Sequence, residues 1–469
     1  MRLRISLFIL LLFTIAGTAR AQNESRVGAD FRKEGESLKG SCSSFKSILS
    51  CAEVLFTDQP VHIAVGSIAP QDGFGAGLAF VEHYTPNDSW RLSWDTDAVA
   101  SMNGSWRAGV YMKAIFTGSK KETTTTGRPT HPQESTPTEF ERPVFNLYAQ
   151  AISLNKLGFF GLGPSTSVSG RSFFGMREII VGSEVKWPIE TSWPVFRQLH
   201  PSLYGEANGR FVAIRASDGQ ASPSIEQVYN EASAPGLTSQ PGFVQFGEGI
   251  RLQPGYGDHV KLNYFVLFQQ FVAPGDSAFS FRRFTADLSH EFPIYRKTRT
   301  IQPKSYNGPD DCSKDVDNHA CPGISLDREG TIAVRLLISE SIAPAGHVVP
   351  FYFQPTLGGS DIMGNPSLSS YQDYRFRAPN VFLLQASFEH SIYGPMGFTC
   401  SLDEGKVALE RGDINFAHLA HSYSAGLTLR AGGFPQVYLL FSWGGHEGDH
   451  TVAQMNTSLL GGAARPSLF

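Results

Sequence analysis

Period-two alternation of apolar and polar positions recurs along most of the chain. In residues 279–292, Phe284, Ala286, Leu288 and Phe292 alternate with Arg283, Thr285, Asp287, Ser289 and Glu291. Residues 203–214 set Leu203, Ala207, Phe211 and Ala213 against Glu206, Asn208 and Arg210. Residues 331–339 set Ile332, Val334, Leu336 and Ile338 against Thr331, Arg335 and Ser339. Residues 421–430 place His421, Tyr423, Ala425, Leu427 and Leu429 opposite Ser422, Ser424, Thr428 and Arg430. Such alternation specifies strands with two unlike faces. A soluble sandwich has no room for the polar rows, whereas a water-filled lumen accepts them. The fold class is therefore all-β, a transmembrane antiparallel β-barrel.

Segments of this kind fall at 74–84, 89–99, 105–116, 145–155, 176–189, 203–214, 242–256 and 260–273. They continue at 279–294, 331–343, 348–357, 380–392, 396–409, 420–431, 435–444 and 450–460. That predicts sixteen strands, an even number, as a single-chain bacterial barrel requires. Each reaches about the nine to eleven residues needed to cross a bilayer at a tilt, and closure is demanded because an open edge leaves backbone groups unpaired in lipid. With both termini periplasmic, the long connections 117–144, 295–330 and 358–379 face outward, and turns such as Ser101-Met102-Asn103-Gly104 face inward. Parity also puts 156–175 and 215–241 at the periplasmic end, although both are long.

The first residues carry a secretory signal. Arg2 and Arg4 precede the apolar stretch Ile5 to Ile15, and Ala19-Arg20-Ala21 supplies an A-x-A cleavage site. The expected divisions are a signal peptide over 1–21, a short periplasmic segment over 22–72, the barrel over 73–460 and a tail over 461–469. Within 22–72, residues 43–56 suit a short helix and Val61 to Val65 a short strand. After Gln22 no stretch of eighteen apolar residues exists, so no helix is expected to span. Charged residues make up only 17% of the chain, aromatics 12%, and the formal charge is −4, which argues against a nucleic-acid surface. Cys42 and Cys51, like Cys312 and Cys321, are nine residues apart and suit local disulfides in an oxidising compartment, leaving Cys400 over. A metal site is the alternative for these cysteines, but neither pair has C-x-x-C spacing.

Catalytic signals are poor. His446-Glu447-Gly448-Asp449-His450 fits H-E-x-x-H in letters, but that motif needs a helix, and Gly444, Gly445 and Gly448 crowd the stretch. No G-x-S-x-G elbow occurs. Neither catalytic residues, a metal site nor a cofactor is expected, and Trp90, Trp106, Trp187 and Trp443 suit interfacial girdles.

Residues 358–409 resemble the bacterial surface-antigen barrel family, the superfamily of the outer-membrane assembly factors BamA and TamA. Gly358-Gly359-Ser360 followed by Leu368-Ser369-Ser370-Tyr371-Gln372-Asp373-Tyr374-Arg375-Phe376-Arg377 looks like that family's sixth extracellular loop. Glu389 ends the next strand, and Leu402-Asp403-Glu404-Gly405-Lys406-Val407 resembles the strand built around Asp-x-Gly. Phe159-Phe160-Gly161-Leu162-Gly163 looks like a glycine segment common in such barrels. The stretch before the barrel is short for polypeptide-transport-associated domains, so the resemblance is to a member lacking them. It implies that 358–379 folds into the lumen, where an arginine of the loop motif Leu368, Ser369, Ser370, Tyr371 meets an aspartate of the wall. Ser369 stands at the arginine position here. Asp403 is expected to face the lumen with Thr399 and Ser401, Glu389 lies nearby, and Arg375, Arg377 and Arg335 are substitute cations. The other reading of Asp403 is a solvated lumenal carboxylate, since an ion pair in water gains little.

The function these features imply is a pore or protein-assembly and translocation component of the bacterial outer membrane, gated by the inward-folded loop. A general diffusion porin or solute channel is the alternative. The partners implied are outer-membrane lipids and lipopolysaccharide, with client proteins or small solutes as cargo.

Overall fold

In the computed structural model the described residues are 61–455 apart from 88, 119–141, 191–192, 194–197, 218–219, 255–259, 302–323, 362, 364, 394–395, 430–436, 446 and 448–449, together with Pro466. The signal peptide, Cys42, Cys51, Cys312 and Cys321 lie outside them. Cys400 is a free thiol. No described helix is long and apolar enough to cross a membrane.

Sixteen strands form one sheet in strict chain order. They are β1 Val61–Ser67, β2 Phe74–Asn87, β3 Trp90–Ser101, β4 Trp106–Phe116, β5 Val144–Phe159, β6 Ser172–Pro188, β7 Ser202–Ala216 and β8 Phe243–Leu252. The rest are β9 Lys261–Val272, β10 Phe281–Ile301, β11 Ile324–Ile342, β12 Asn380–Tyr393, β13 Met396–Ala408, β14 Ala420–Leu429, β15 Val437–Trp443 and β16 His450–Met455. The ladders β2 to β16 are all antiparallel.

The sheet is rolled. Laid flat, sixteen strands at about 4.8 Å spacing would be about 70 Å wide. Yet Tyr374 Oη donates to Pro70 O, just after β1, and Gln71 Nε2 donates to Asp373 O. The next residue, Arg375, pairs with Glu447, just before β16. Three consecutive residues can hold both ends of the strand order only if the sheet curls round on itself. No β1–β16 ladder is recorded among the described residues.

Burial is inverted relative to a soluble protein. Arg283 and Glu178 are 0% exposed and Arg210 2%, whereas Leu78 is 62%, Phe211 56% and Val181 51% exposed. Charged groups turn inward and leucine, valine and phenylalanine turn outward, as lipid requires and water does not. Aromatic girdles bound the apolar band. Trp90 packs on Phe116 and Phe145 at one end, and Phe145 on Trp187. Trp106 and the Tyr423–Trp443–Phe441 stack mark the other. Trp106 and Phe116 share the outer face of β4 ten residues apart, about 33 Å along a strand. At a tilt near 40° this spans about 25 Å, the height of a barrel's lipid-facing band.

One expected strand is wrong, and another replaces it. Residues 348–357 are not in the wall: Phe351–Phe353 form a 3₁₀ turn, and Thr356–Leu357 pair with Phe376–Arg377 inside the barrel. Pro350 and Pro355 bracket the stretch, and proline cannot donate to a ladder. Val61–Ser67, read as part of a separate periplasmic segment, is instead the first wall strand. The count of sixteen survives because the two errors cancel. The connections from residue 68 to residue 323, however, change ends. Residues 160–171 and 217–242 therefore lie at the same end as 343–379, where Gly163 N–H donates to Arg377 O and Phe351 N–H to Pro235 O, both at 2.8 Å. The end of β4 and the start of β5, like the end of β10 and the start of β11, lie at the opposite end.

Candidate functional site

The barrel interior is occupied at one end by residues 349–377. Val349, Phe351, Tyr352, Phe353 and Tyr374 join a buried apolar cluster whose other members come mainly from the wall, among them Leu157, Phe159, Phe174, Phe243, Phe271 and Phe281, with Ile225 and Ala234 added from the connection after β7. Phe351 sits edge-on to Phe159 at 5.3 Å and to Phe174 at 5.1 Å between ring centres. Phe353 meets Phe243 at 5.0 Å and Phe271 at 5.4 Å. A tight aromatic turn inside an apolar cluster leaves carbonyls that need donors. Arg283 supplies one to Phe353 O, its guanidinium lying 5.4 Å from the Phe271 ring centre. Arg377 Nη1 donates to Phe351 O at 2.8 Å. These fully buried arginines are thus part of the seat for the turn.

The segment reverses at Gly358 and Gly359, whose φ angles are +98° and +75°. Gly358 O accepts from Tyr374 N–H at 2.8 Å. A Cβ on Gly359 would fall 1.9 Å from Asp373 Oδ1, and one on Gly358 would fall 2.5 Å from Gln372 O. Gly359→Ala combines left-handed strain, about 1–2 kcal/mol, with a clash. It should raise the rate at which an added protease cuts 358–377 several-fold in the folded barrel. Wild-type resistance in that variant would contradict the close packing at this corner.

Polar side chains of the wall grip the backbone of the segment. Arg335 on β11 pairs with Asp287 on β10 at 2.8 Å and with Asp361 of the segment at 2.5 Å, and reaches Gln385 at 2.9 Å. Asp361 Oδ1 accepts from its own neighbours Met363 N–H and Asn365 N–H at 2.8 and 3.0 Å, which shapes the turn it anchors. Asp403 on β13 is buried and faces inward with Thr399, while Leu402 is exposed on the outside. Its carboxylate accepts Leu368 N–H at 2.8 Å and Gln385 Nε2 at 3.0 Å. Ser370 N–H donates to Ser422 Oγ at 2.9 Å, and Gln385 Nε2 also reaches Pro366 O. Leu368 takes up this contact with φ +44°, a costly conformation for leucine that the surrounding contacts hold in place.

An arginine at Asp403 was the expectation, and the structure places none there among the described residues. The three candidate cations are engaged elsewhere: Arg335 with Asp287 and Asp361, Arg377 with Phe351 O, Arg375 with Glu447 and with Thr166 Oγ1 at 2.7 Å. With Ser369 and Ser370 in the loop motif there is no cation to offer, so backbone N–H groups meet Asp403 and Ser422 instead. Leu368, Ser369, Ser370 and Tyr371 are all buried. Glu389 on β12 accepts from Thr428 Oγ1 at 3.2 Å, two strands along. Glu447 of the H-E-x-x-H stretch is committed to Arg375 and His450 begins a strand, β16, while His446 lies outside the described residues.

Sequence reasoning missed Asp361, Asp287, Gln385, Arg283 and the Phe351–Phe353 turn. The signal available for the last was the pair of flanking prolines. For Asp287 it was the inward row it shares with Arg283 and Thr285.

Burial pushes the Asp373 carboxyl up to about 6, against the pull of Arg171. Asp361 is raised too by burial, with Arg335 opposing. A folded value above the unfolded one favours the packed segment when the acid is protonated. That contribution is full below about pH 4 and is lost as pH rises through about 6. Docking of 358–377 should therefore loosen from pH 4 to 7, read as increasing protease cleavage. Asp373→Asn should flatten part of that slope. A variant slope equal to wild type would contradict the assignment.

Towards the opposite end the lumen is polar. Glu206 accepts from Gln245 and Gln269 at 2.7 Å each and Tyr204 bridges Glu206 and Glu184, while Arg210, its guanidinium 5.7 Å from the Phe353 ring centre at the edge of the segment, pairs with Glu178 at 3.0 Å. A cavity of about 700 Å³ there is lined by His83, Arg91, Asp95, Lys113 and Asn146, among others. No group of residues suited to hold a metal ion occurs among the described residues.

No protein-family model matches the chain, and no curated protein matches it by sequence. Among solved structures it is similar to CdiB from Acinetobacter baumannii, at 12% identity and TM-score 0.45, over 86% of this chain and 59% of that one. It is similar to CdiB from Escherichia coli, at 11% identity and TM-score 0.49, over 84% and 62%. It is also similar to BamA from Haemophilus ducreyi in a structure lacking POTRA domains 1–3, at 10% identity and TM-score 0.45, over 84% and 68%. The chain thus spans less than two thirds of either CdiB.

Proposed function

We propose that this chain is an integral outer-membrane β-barrel of the surface-antigen, assembly-factor type, working as a translocation or protein-assembly component without catalysis. The carrying observation is the segment 349–377, which fills one end of an inside-out barrel and is held by wall side chains from β10, β11, β13 and β14. A cargo larger than an ion passes only if that segment moves, so the segment is the gate. With the chain start on the periplasmic side, strand parity puts 160–171, 217–242 and 343–379 at the outer surface. Lipids and lipopolysaccharide surround the band, and a client protein is the cargo.

A diffusion porin needs a standing aqueous path, which this segment obstructs. Planar-bilayer recording of the wild type and of a deletion of 356–377 tests the reading. Wild type should stay near baseline with rare openings, and the deletion should conduct steadily. Equal steady conductance in both would favour the porin and overturn the gate.

A further inference from the structure

On the outer face of β6 and β7, at the rim of the apolar band, stand two arginines. Gly175 pairs with Arg215 and Arg177 with Ala213, so both guanidinium stems leave the same face of the sheet. That face is the lipid side, because Ile179, Val181 and Phe211 follow on it, 42%, 51% and 56% exposed. The level is fixed by register: Trp106 of the girdle pairs with Ser153, and Ser153 pairs with Arg177. Arginine and girdle tryptophan lie in one row across the wall.

Neither arginine has an acidic partner among the described residues. Arg177 is exposed, and Arg215 Nη2 donates to Ser153 Oγ, Leu154 O and Asn155 Oδ1 at 2.9–3.2 Å, all neutral acceptors. Asp72 acts on Arg215 only through space, its bonds going to Ser105, Asn103 and the Asn155 and Lys156 amides. Two cations side by side at the edge of hydrocarbon are costly unless a counter-charge meets them. The counter-charge available at that depth is a lipid phosphate, and a guanidinium fork fits phosphate oxygens in bidentate fashion.

We propose that Arg177 and Arg215 form a binding site for the phosphate headgroup of a membrane lipid. The proposal rests on the membrane-embedded reading of the chain. Native mass spectrometry of the detergent-solubilised protein tests it, with phosphatidic acid, diacylglycerol of the same acyl chains, and inorganic phosphate as probes. Phosphatidic acid should be retained in preference to diacylglycerol, and inorganic phosphate at the same concentration should not displace it. Arg177→Gln, which breaks no recorded intramolecular bond, should weaken retention about five-fold, and Arg177→Gln with Arg215→Gln about thirty-fold, at about 1 kcal/mol per arginine. Arg177→Lys, which keeps the charge but loses the bidentate fork, should fall between wild type and Arg177→Gln. Equal retention of the two lipids, undiminished retention by Arg177→Gln, or displacement by inorganic phosphate would each overturn the site. A chain that stays folded and monodisperse with no detergent or lipid would instead overturn the membrane reading beneath it.

Discussion

Arg335→Met should free the inner segment from the wall and turn a quiet barrel into a conducting one. The substitution leaves Asp287 and Asp361 facing each other without the cation that holds them at 2.8 and 2.5 Å. Removing one partner of a buried pair typically costs about 3–5 kcal/mol, and the other charge is the reason. Arg335 is 14% exposed, so the lower end, about 3 kcal/mol, is the appropriate figure. That moves the docked-to-released ratio by roughly 150-fold, enough to be seen as frequent openings in a bilayer and as rapid proteolysis of 358–377. Adding Asp361→Asn to Arg335→Met should restore part of the docking, because the stranded carboxylate is gone. Baseline conductance in Arg335→Met would show that the ion pair does not hold the segment.

Phe351→Ala should produce an effect of similar size by a different route. The ring is fully buried and touches Phe159 and Phe174, which come from the facing ends of β5 and β6. Truncating such a ring costs about 3–5 kcal/mol in lost transfer energy and the cavity left behind. The cost falls on the plugged end, since Phe351 belongs to the segment and not to the ladder. Heating the detergent-solubilised variant should therefore expose the segment to protease well below the temperature at which the strands unfold, while wild type loses both together. Coincident loss in the variant would mean that Phe351 adds nothing to the docking.

The wall was legible because its code is local. Arg283 beside Phe284, Asn208 beside Phe211 and Ser422 beside Tyr423 each declare a face within a few residues, and the structure buries the first of each pair and exposes the second. The inner segment was only half legible. Its apolar run Val348-Val349-Pro350-Phe351-Tyr352-Phe353 has the composition of a strand, and composition outweighed the prolines that forbid one. What becomes of such a run depends on where the chain takes it, which alternation does not encode. The inward direction of Asp403 could be read from Leu402 and Thr399 around it. Its partner could not, because the Leu368 amide lies 35 residues away and reaches Asp403 only after the Gly358–Gly359 corner has turned. A backbone donor has no residue type to give it away.

A double-cysteine cross-link probes the occupied lumen most directly, since Ser370 N–H rests on Ser422 Oγ at 2.9 Å. Ser370→Cys with Ser422→Cys, placed in a background where Cys400 is serine, should form an intramolecular disulfide in the bilayer-embedded protein under mild oxidant. Cleaved between the two positions, the chain should then stay joined until a reductant is added. A folded barrel whose two thiols both remain free would contradict an interior filled by its own chain.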